Sequence, residues 1–157
     1  VRIIAIDNSE AMVTKCQEVV AGHEAIKVRL DDVRQAPIEN ASMVVMNYTL
    51  QFLDPDARDS VIRRIHEGLI PGGLFVLSEK VIDEDEHMEQ LLVDLHHDHK
   101  RRNDYSELEI SRKRAAQENV LVPETVASHR QRLAAAGFAH SAVWLRYFNF
   151  VSIVAIK

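Results

Sequence analysis

A chain of 157 residues, 46% of them hydrophobic, can bury one core, so a single domain spanning residues 1–157, or a large part of one, is expected. Its formal net charge of −5 comes without any block of like charge, which argues against sequence-independent grip on a phosphate backbone, and no direct nucleic-acid partner is expected. No apolar run approaches the roughly 20 residues of a membrane helix, so no membrane partner is expected, and the lone Cys16, unable to form an internal disulfide, suits a reducing, cytoplasmic setting.

The chain opens on an apolar run, residues 2–6, that ends on Asp7 and passes into a helical pattern. Met12, Cys16, Val19 and Val20 recur at helical spacing, Ser9 can cap the start, and Gly22 suits a left-handed residue past the end. Cys16 should therefore be a small buried residue. Residues 27–32 alternate as a half-buried strand and again end on acids. Pro37 and Asn40 mark a loop before a third strand, residues 42–49, whose apolar centre predicts cover on both faces and which reaches Asn47. Asp54-Pro55 is a strong helix start, and Val61, Ile62, Ile65 and Leu69 give the buried stripe. Pro71-Gly72-Gly73 predicts a sharp turn into a fourth strand at residues 74–80. This alternation with short links predicts an α/β fold with a mostly parallel sheet.

From residue 83 to about 120 the pattern becomes a charged helical insert. Met88, Leu91, Leu92 and Leu95 share a face, a break falls near Asn103-Asp104, and Ser106 with Glu109 forms a capping box for a second helix. With so little core of its own, this insert should cover a site or pack on another subunit, and a homodimer is expected. A helix near residues 124–136 stops at Gly137. Two closing strands, residues 141–147 and 149–156, are joined so tightly that they must be antiparallel. A mostly parallel sheet ending in an antiparallel hairpin is similar to the Rossmann-like fold of the class I S-adenosylmethionine (SAM) dependent methyltransferases.

Longer strings make the likeness specific. They are Ile-Asp-Asn-Ser at 6–9, Ile-Glu-Asn-Ala-Ser-Met-Val-Val at 38–45, Tyr-Thr-Leu-Gln-Phe-Leu at 48–53, Leu-Ser-Glu-Lys at 77–80, Tyr-Ser-Glu-Leu-Glu-Ile-Ser at 105–111 and Phe-Asn-Phe at 148–150. On these the chain resembles the carboxy-S-adenosyl-L-methionine synthase family along its whole length. The resemblance implies a reaction of SAM with prephenate that yields carboxy-SAM and phenylpyruvate. A separate enzyme then uses the product to modify the wobble uridine of certain transfer RNAs. It also implies a portion ahead of residue 1 that carries a first strand and a glycine loop. Without that strand the sheet would be open between residues 2–7 and 42–48, leaving an N-terminally incomplete domain. An ordinary small-molecule methyltransferase and a non-catalytic dimerising remnant are the competing readings.

The resemblance also implies site residues. Asp7, at a strand end, would accept hydrogen bonds from the ribose hydroxyls, with Asn8 beside it. Asp32 and Val33 would hold the adenine through a side-chain acceptor and a backbone N–H, with Asp31 as the neighbour one register away. Asn47 would face the ligand from the carboxyl edge of the third strand, with Tyr48 beside it. A guanidinium suits a new carboxylate beside a sulfonium, because it binds both oxygens and keeps its charge. By residue type alone Arg101, Arg102, Arg112, Lys113 and Arg114 compete equally, and position in the family string selects Arg114. Of His96, His97, Asp98 and His99, only His96 and His99 share a helix face, so packed histidines rather than a metal site are expected. No nucleophile motif is present, which fits chemistry carried by the substrates.

Overall fold

The computed structural model describes residues 1–106, 108–109 and 120–157. It comprises two compact units, Val1–Ile38 and Glu39–Lys157.

The first unit is a β-α-β segment. Strand β1 (Ile3–Asp7) and strand β2 (Ile26–Leu30) pair in parallel from Ile3 opposite Ile26 to Asp7 opposite Leu30. Helix α1 (Glu10–Val19) connects them. Ser9 caps it, its hydroxyl accepting the Met12 N–H at 3.4 Å. Gly22 adopts φ +86° just past the helix end, with open space where a side chain would point, so backbone geometry alone favours glycine there. The expected buried stripe of α1 is only partly realised. Val13 is buried, Cys16 is half-buried, and Met12 and Val19 are 57% and 70% exposed.

The second unit contains strand β3 (Ala41–Asn47), a 3₁₀ turn (Leu50–Phe52), helix α2 (Pro55–Gly68), strand β4 (Leu69–Ile82) and helix α3 (Glu86–Arg102). Strand β5 (Glu124–Thr125), helix α4 (Val126–Ala136), strand β6 (His140–Tyr147) and strand β7 (Phe150–Ile156) complete it. The sheet runs β3-β4-β7-β6, and β5 pairs with the far end of β4. Neighbours β3 and β5 lie parallel to β4, whereas β7 is antiparallel to both β4 and β6. The expected parallel sheet with a closing antiparallel hairpin is present. The hairpin turns at Phe148, whose φ is +52°.

Phe75, Leu77, Val81, Val151, Ile153 and Ala155 alternate onto one face of the sheet and are buried, together with Val61, Ile62 and Ile65 of α2 and Leu133 of α4. Each Val, Leu, Ile or Phe among them contributes about 1.5–3 kcal/mol on burial, so this face holds the unit together. Phe138 joins it, stacked on Phe75 and edge-on to His66. Asp54 caps α2 with Pro55 in the first turn, as read from the sequence. Gly137 ends α4 at φ +106°.

Two expectations are corrected. Pro71-Gly72-Gly73 does not precede strand β4 but interrupts it. Ala41 pairs with Leu69 and Met43 with Leu74, so the residues between Leu69 and Leu74 bulge out opposite Ser42. The bulge is held by Gly72 N–H donating to the Lys157 carbonyl and Lys157 N–H donating to the Gly73 carbonyl, both at 3.0 Å. Strand β3, expected to be covered on both faces, buries Met46 but leaves Met43 and Val45 half exposed, since alternate residues of a strand point to opposite faces.

Asp85 caps α3, and the predicted break follows at Asn103 and Asp104, the latter at φ +63°. No residue of α3 is fully buried, so its apolar stripe of Met88, Leu91 and Leu95 has weak cover. The capping box is formed, with Ser106 Oγ donating to the Glu109 carboxylate at 2.7 Å and accepting the Glu109 N–H at 3.3 Å.

Candidate functional site

In open α/β sheets ligands gather at the carboxyl ends of parallel strands, and the candidate residues fall at three such ends. In the first unit Asp7 ends β1 and Asp31 follows β2. The Asp31 N–H donates to the Asp7 carbonyl at 3.0 Å, which sets Asp7 and Asn8 beside Asp31, Asp32 and Val33. Parallel pairing is the cause, since strands in register end together. The four candidates of this unit thus share one edge. The Asp7 carboxylate accepts the Ser9 N–H at 2.8 Å through Oδ1. The Asp31 carboxylate accepts the Asp32 N–H, also at 2.8 Å, and is thereby turned onto its own loop.

Asp32 is engaged further. Its carboxylate accepts the Arg34 backbone N–H at 2.8 Å and the Arg34 guanidinium on both oxygens. The Arg34 hydrogen bond, followed by its backbone N–H and charge, holds the Asp32 carboxyl at about 2. An acceptor for an amino group is therefore present and ionised, but a ligand there would share it with Arg34.

In the second unit Asn47 ends β3 opposite Ser78 of β4 and is exposed. Tyr48 follows at φ +52°, a region that side-chain-bearing residues seldom adopt, and its N–H donates to the Ser78 carbonyl at 2.7 Å. Its ring meets Phe150 edge-on at 5.9 Å. Beside this segment the hydroxyls of Ser78 and Ser152 are bonded at 3.0 Å, and Trp144 Nε1–H donates to Ser152 at 2.7 Å.

Glu79 is the buried group beneath this loop. Its Oε1 accepts the Thr49 N–H at 3.1 Å and the Leu50 N–H at 2.9 Å, while Oε2 accepts the Gln51 N–H at 3.1 Å. Three N–H groups at the start of a helical turn converge where a carboxylate belongs. The site is 1% exposed, and burial pushes the Glu79 carboxyl up to about 7 against the pull of those bonds and of Arg58.

Arg58, itself wholly buried, braces the same loop. Its guanidinium donates to the Leu53 carbonyl at 3.0 and 3.1 Å, to the Gln51 carbonyl at 3.3 Å and to Glu124 at 2.6 Å. Glu124 also accepts from Arg132 at 2.8 and 2.9 Å. Both Glu79 and Arg58 escaped the sequence reading, yet each carried a signal. Glu79 sits in the same alternation as Phe75, Leu77 and Val81. Arg58 lies one helical turn before Val61 and Ile62. A charge on an apolar phase marks an internal polar contact.

Arg114 lies outside the described residues. The histidines of α3 pack as read, His96 against Phe148 and Phe150 and His99 against Tyr147, with ring centroids 5.0–5.8 Å apart. Burial, then the positive charge of Lys100, lowers His96 to about 4 and keeps it neutral.

A family model described as a methyltransferase domain matches residues 1–73. The carboxy-S-adenosyl-L-methionine synthase of Pseudoalteromonas atlantica is 54% identical over 158 residues, covering 99% of this chain and 65% of that protein. The synthase of Shewanella oneidensis is 52% identical over 159 residues with the same coverage. The chain thus spans 65% of the length of these relatives. Among solved structures, PigF with SAH superposes with a TM-score of 0.69 at 17% identity, covering 100% of this chain and 44% of that one. Human N-acetylserotonin methyltransferase in complex with SAM superposes with a TM-score of 0.67 at 19% identity, covering 99% and 40%. These two likenesses establish the fold.

Proposed function

We propose that the chain is a class I SAM-dependent methyltransferase-like protein of the carboxy-SAM synthase kind and that it performs that reaction on SAM, a reading supported by its likeness to those synthases and to a methyltransferase domain. The carrying observation is identity of 54% across 99% of the chain, a match to one named activity rather than to the fold alone. We take the co-substrate to be prephenate. The ring carboxylate of prephenate leaves as carbon dioxide as the ring hydroxyl is expelled, which yields phenylpyruvate; the hydroxide takes a proton from the sulfonium methyl and leaves as water, and the ylide carbon so formed bonds the carbon dioxide. The product serves wobble-uridine modification of transfer RNA through a second enzyme. The protein acts in the cytoplasm as a homodimer.

In this reading Asp7 and Asn8 hold the ribose, Asp32 and Val33 the adenine, and Asn47 a further part of the ligand. The clustering of the first four at one strand edge supports those roles. Arg114 receives the transferred carboxylate, two N–H groups of its guanidinium meeting the two carboxylate oxygens.

Calorimetry tests the proposal. The chain should bind SAM and carboxy-SAM at micromolar concentration, and Arg114→Leu should weaken carboxy-SAM at least tenfold while changing SAM less than twofold. Equal weakening of the two ligands would remove Arg114 from its role and favour an ordinary methyltransferase. Binding of neither by the unaltered chain would favour a non-catalytic remnant.

A further inference from the structure

Between β3 and α2 the chain makes an awkward passage. Asn47 and Tyr48 leave the strand, Tyr48 takes a positive φ, and the backbone enters a 3₁₀ turn at Leu50. One side chain meets three consecutive N–H groups of that passage, and it comes from the neighbouring strand rather than the loop. We propose that Glu79 is a positioning residue, whose carboxylate holds residues 49–51 and thereby fixes the pose in which Asn47 and Tyr48 are presented to the adenosyl ligand. The inference rests on the functional reading above.

The geometry makes the carboxylate hard to replace. Tyr48 is pinned on one side by its own N–H on the Ser78 carbonyl and on the other by Thr49 N–H on Glu79, so its positive φ is clamped at both ends. Lys80 N–H donates to Gln51 Oε1 at 3.0 Å, so three consecutive residues of β4 grip the loop. Only the ionised form has two free acceptor oxygens. A proton on Oε2 would release the Gln51 N–H while Oε1 kept Thr49 and Leu50.

Its surroundings leave that proton balance to few groups. Strands β3 and β7 and the 3₁₀ turn carry no titratable residue. Among the described residues Arg58 of α2 is the charged group acting on Glu79, and it is itself paired with Glu124. With the Glu79 carboxyl near 7, both forms are sampled around neutral pH.

Glu79→Gln is a lasting analogue of the neutral acid, with one acceptor oxygen and an amide nitrogen facing Gln51. SAM and carboxy-SAM affinities of wild type and variant are measured by calorimetry at pH 8 and pH 5.5. The variant should bind about tenfold more weakly at pH 8 and match wild type at pH 5.5, where wild type is itself neutral at Glu79. Equal affinities at pH 8, or the same ratio at both pH values, would overturn the proposal. A measurement on wild type alone guards against a variant that fails to fold. The amide-exchange protection factor of Gln51 should drop relative to those of Thr49 and Leu50 between pH 8 and pH 5.5, and a constant ratio would also overturn it. Wild type that binds neither ligand refutes the functional reading and this inference together, whereas binding unaffected by Glu79→Gln refutes this inference alone.

Discussion

Replacing Glu124 by alanine removes the one carboxylate that Arg58 and Arg132 share. Arg58 is 0% exposed, so among the described residues it would keep a buried charge with only the carbonyls of Leu53 and Gln51 as acceptors. Breaking a buried pair in this way costs about 3–5 kcal/mol. The Glu124 carboxyl supports the lower end of that range. Burial raises it, but the hydrogen bonds of Arg132 and Arg58 outweigh burial and bring it from 4.5 to about 2. A depression of that size corresponds to roughly 3 kcal/mol at 1.36 kcal/mol per unit. The assay is urea unfolding at pH 7, followed by the fluorescence of Trp144, the chain's single tryptophan, which reports the second unit. At a slope of about 2 kcal/mol per molar, the midpoint should fall by about 1.5 M. Because an unpaired charge is the cause, adding Arg58→Met to Glu124→Ala should recover part of the loss. A loss below about 1 kcal/mol, or a double variant no more stable than Glu124→Ala, would refute the reasoning.

Two further outcomes follow from buried contacts. Glu79 has a folded-state carboxyl above its unfolded value, so its contribution to stability is complete below about 4.5 and is lost as pH rises through about 7. Urea unfolding should show up to about 3 kcal/mol of declining stability across that window, removed by Glu79→Gln, and an unchanged slope in the variant would count against it. Gly137→Ala should destabilise by at least about 1–2 kcal/mol, the cost of positive φ, and the new Cβ, 2.9 Å from His66 Cε1, would also make that ring shift. A melting temperature equal to wild type would contradict the backbone strain at this position.

The α/β alternation, the helix start at Asp54-Pro55, the stop at Gly137 and the closing hairpin were legible because each rests on local chemistry. Proline at a first helical turn, glycine at positive φ and a two-residue link between strands leave few alternatives. The clustering of Asp7 and Asn8 with Asp31 to Val33 was also accessible, since parallel strands in register must end together. What escaped was set by distant partners. The Pro71-Gly72-Gly73 bulge depends on backbone bonds to Lys157, and the exposure of Met12, Val19, Met43 and Val45 depends on how much surface is available to cover them. Glu79 and Arg58 were hidden differently. Their types suggested solvent, and only their phase among apolar neighbours pointed inward.

Strand β4 has consequences for the order in which the chain acquires its structure. Its parallel partner β3 and helix α2 precede it closely in sequence, but the strand on its other side is β7, and the bonded pair Ser78 and Ser152 is 74 residues apart. During synthesis the segment carrying Phe75, Leu77 and Val81 is made long before the strand that seals it. For that interval it presents one unpaired apolar edge, the kind of surface on which nascent chains associate wrongly. Contacts so far apart in sequence also slow the final closure. Refolding of the second unit should therefore be limited by the docking of the β6-β7 hairpin, and agents that bind transiently exposed strands should act within that interval.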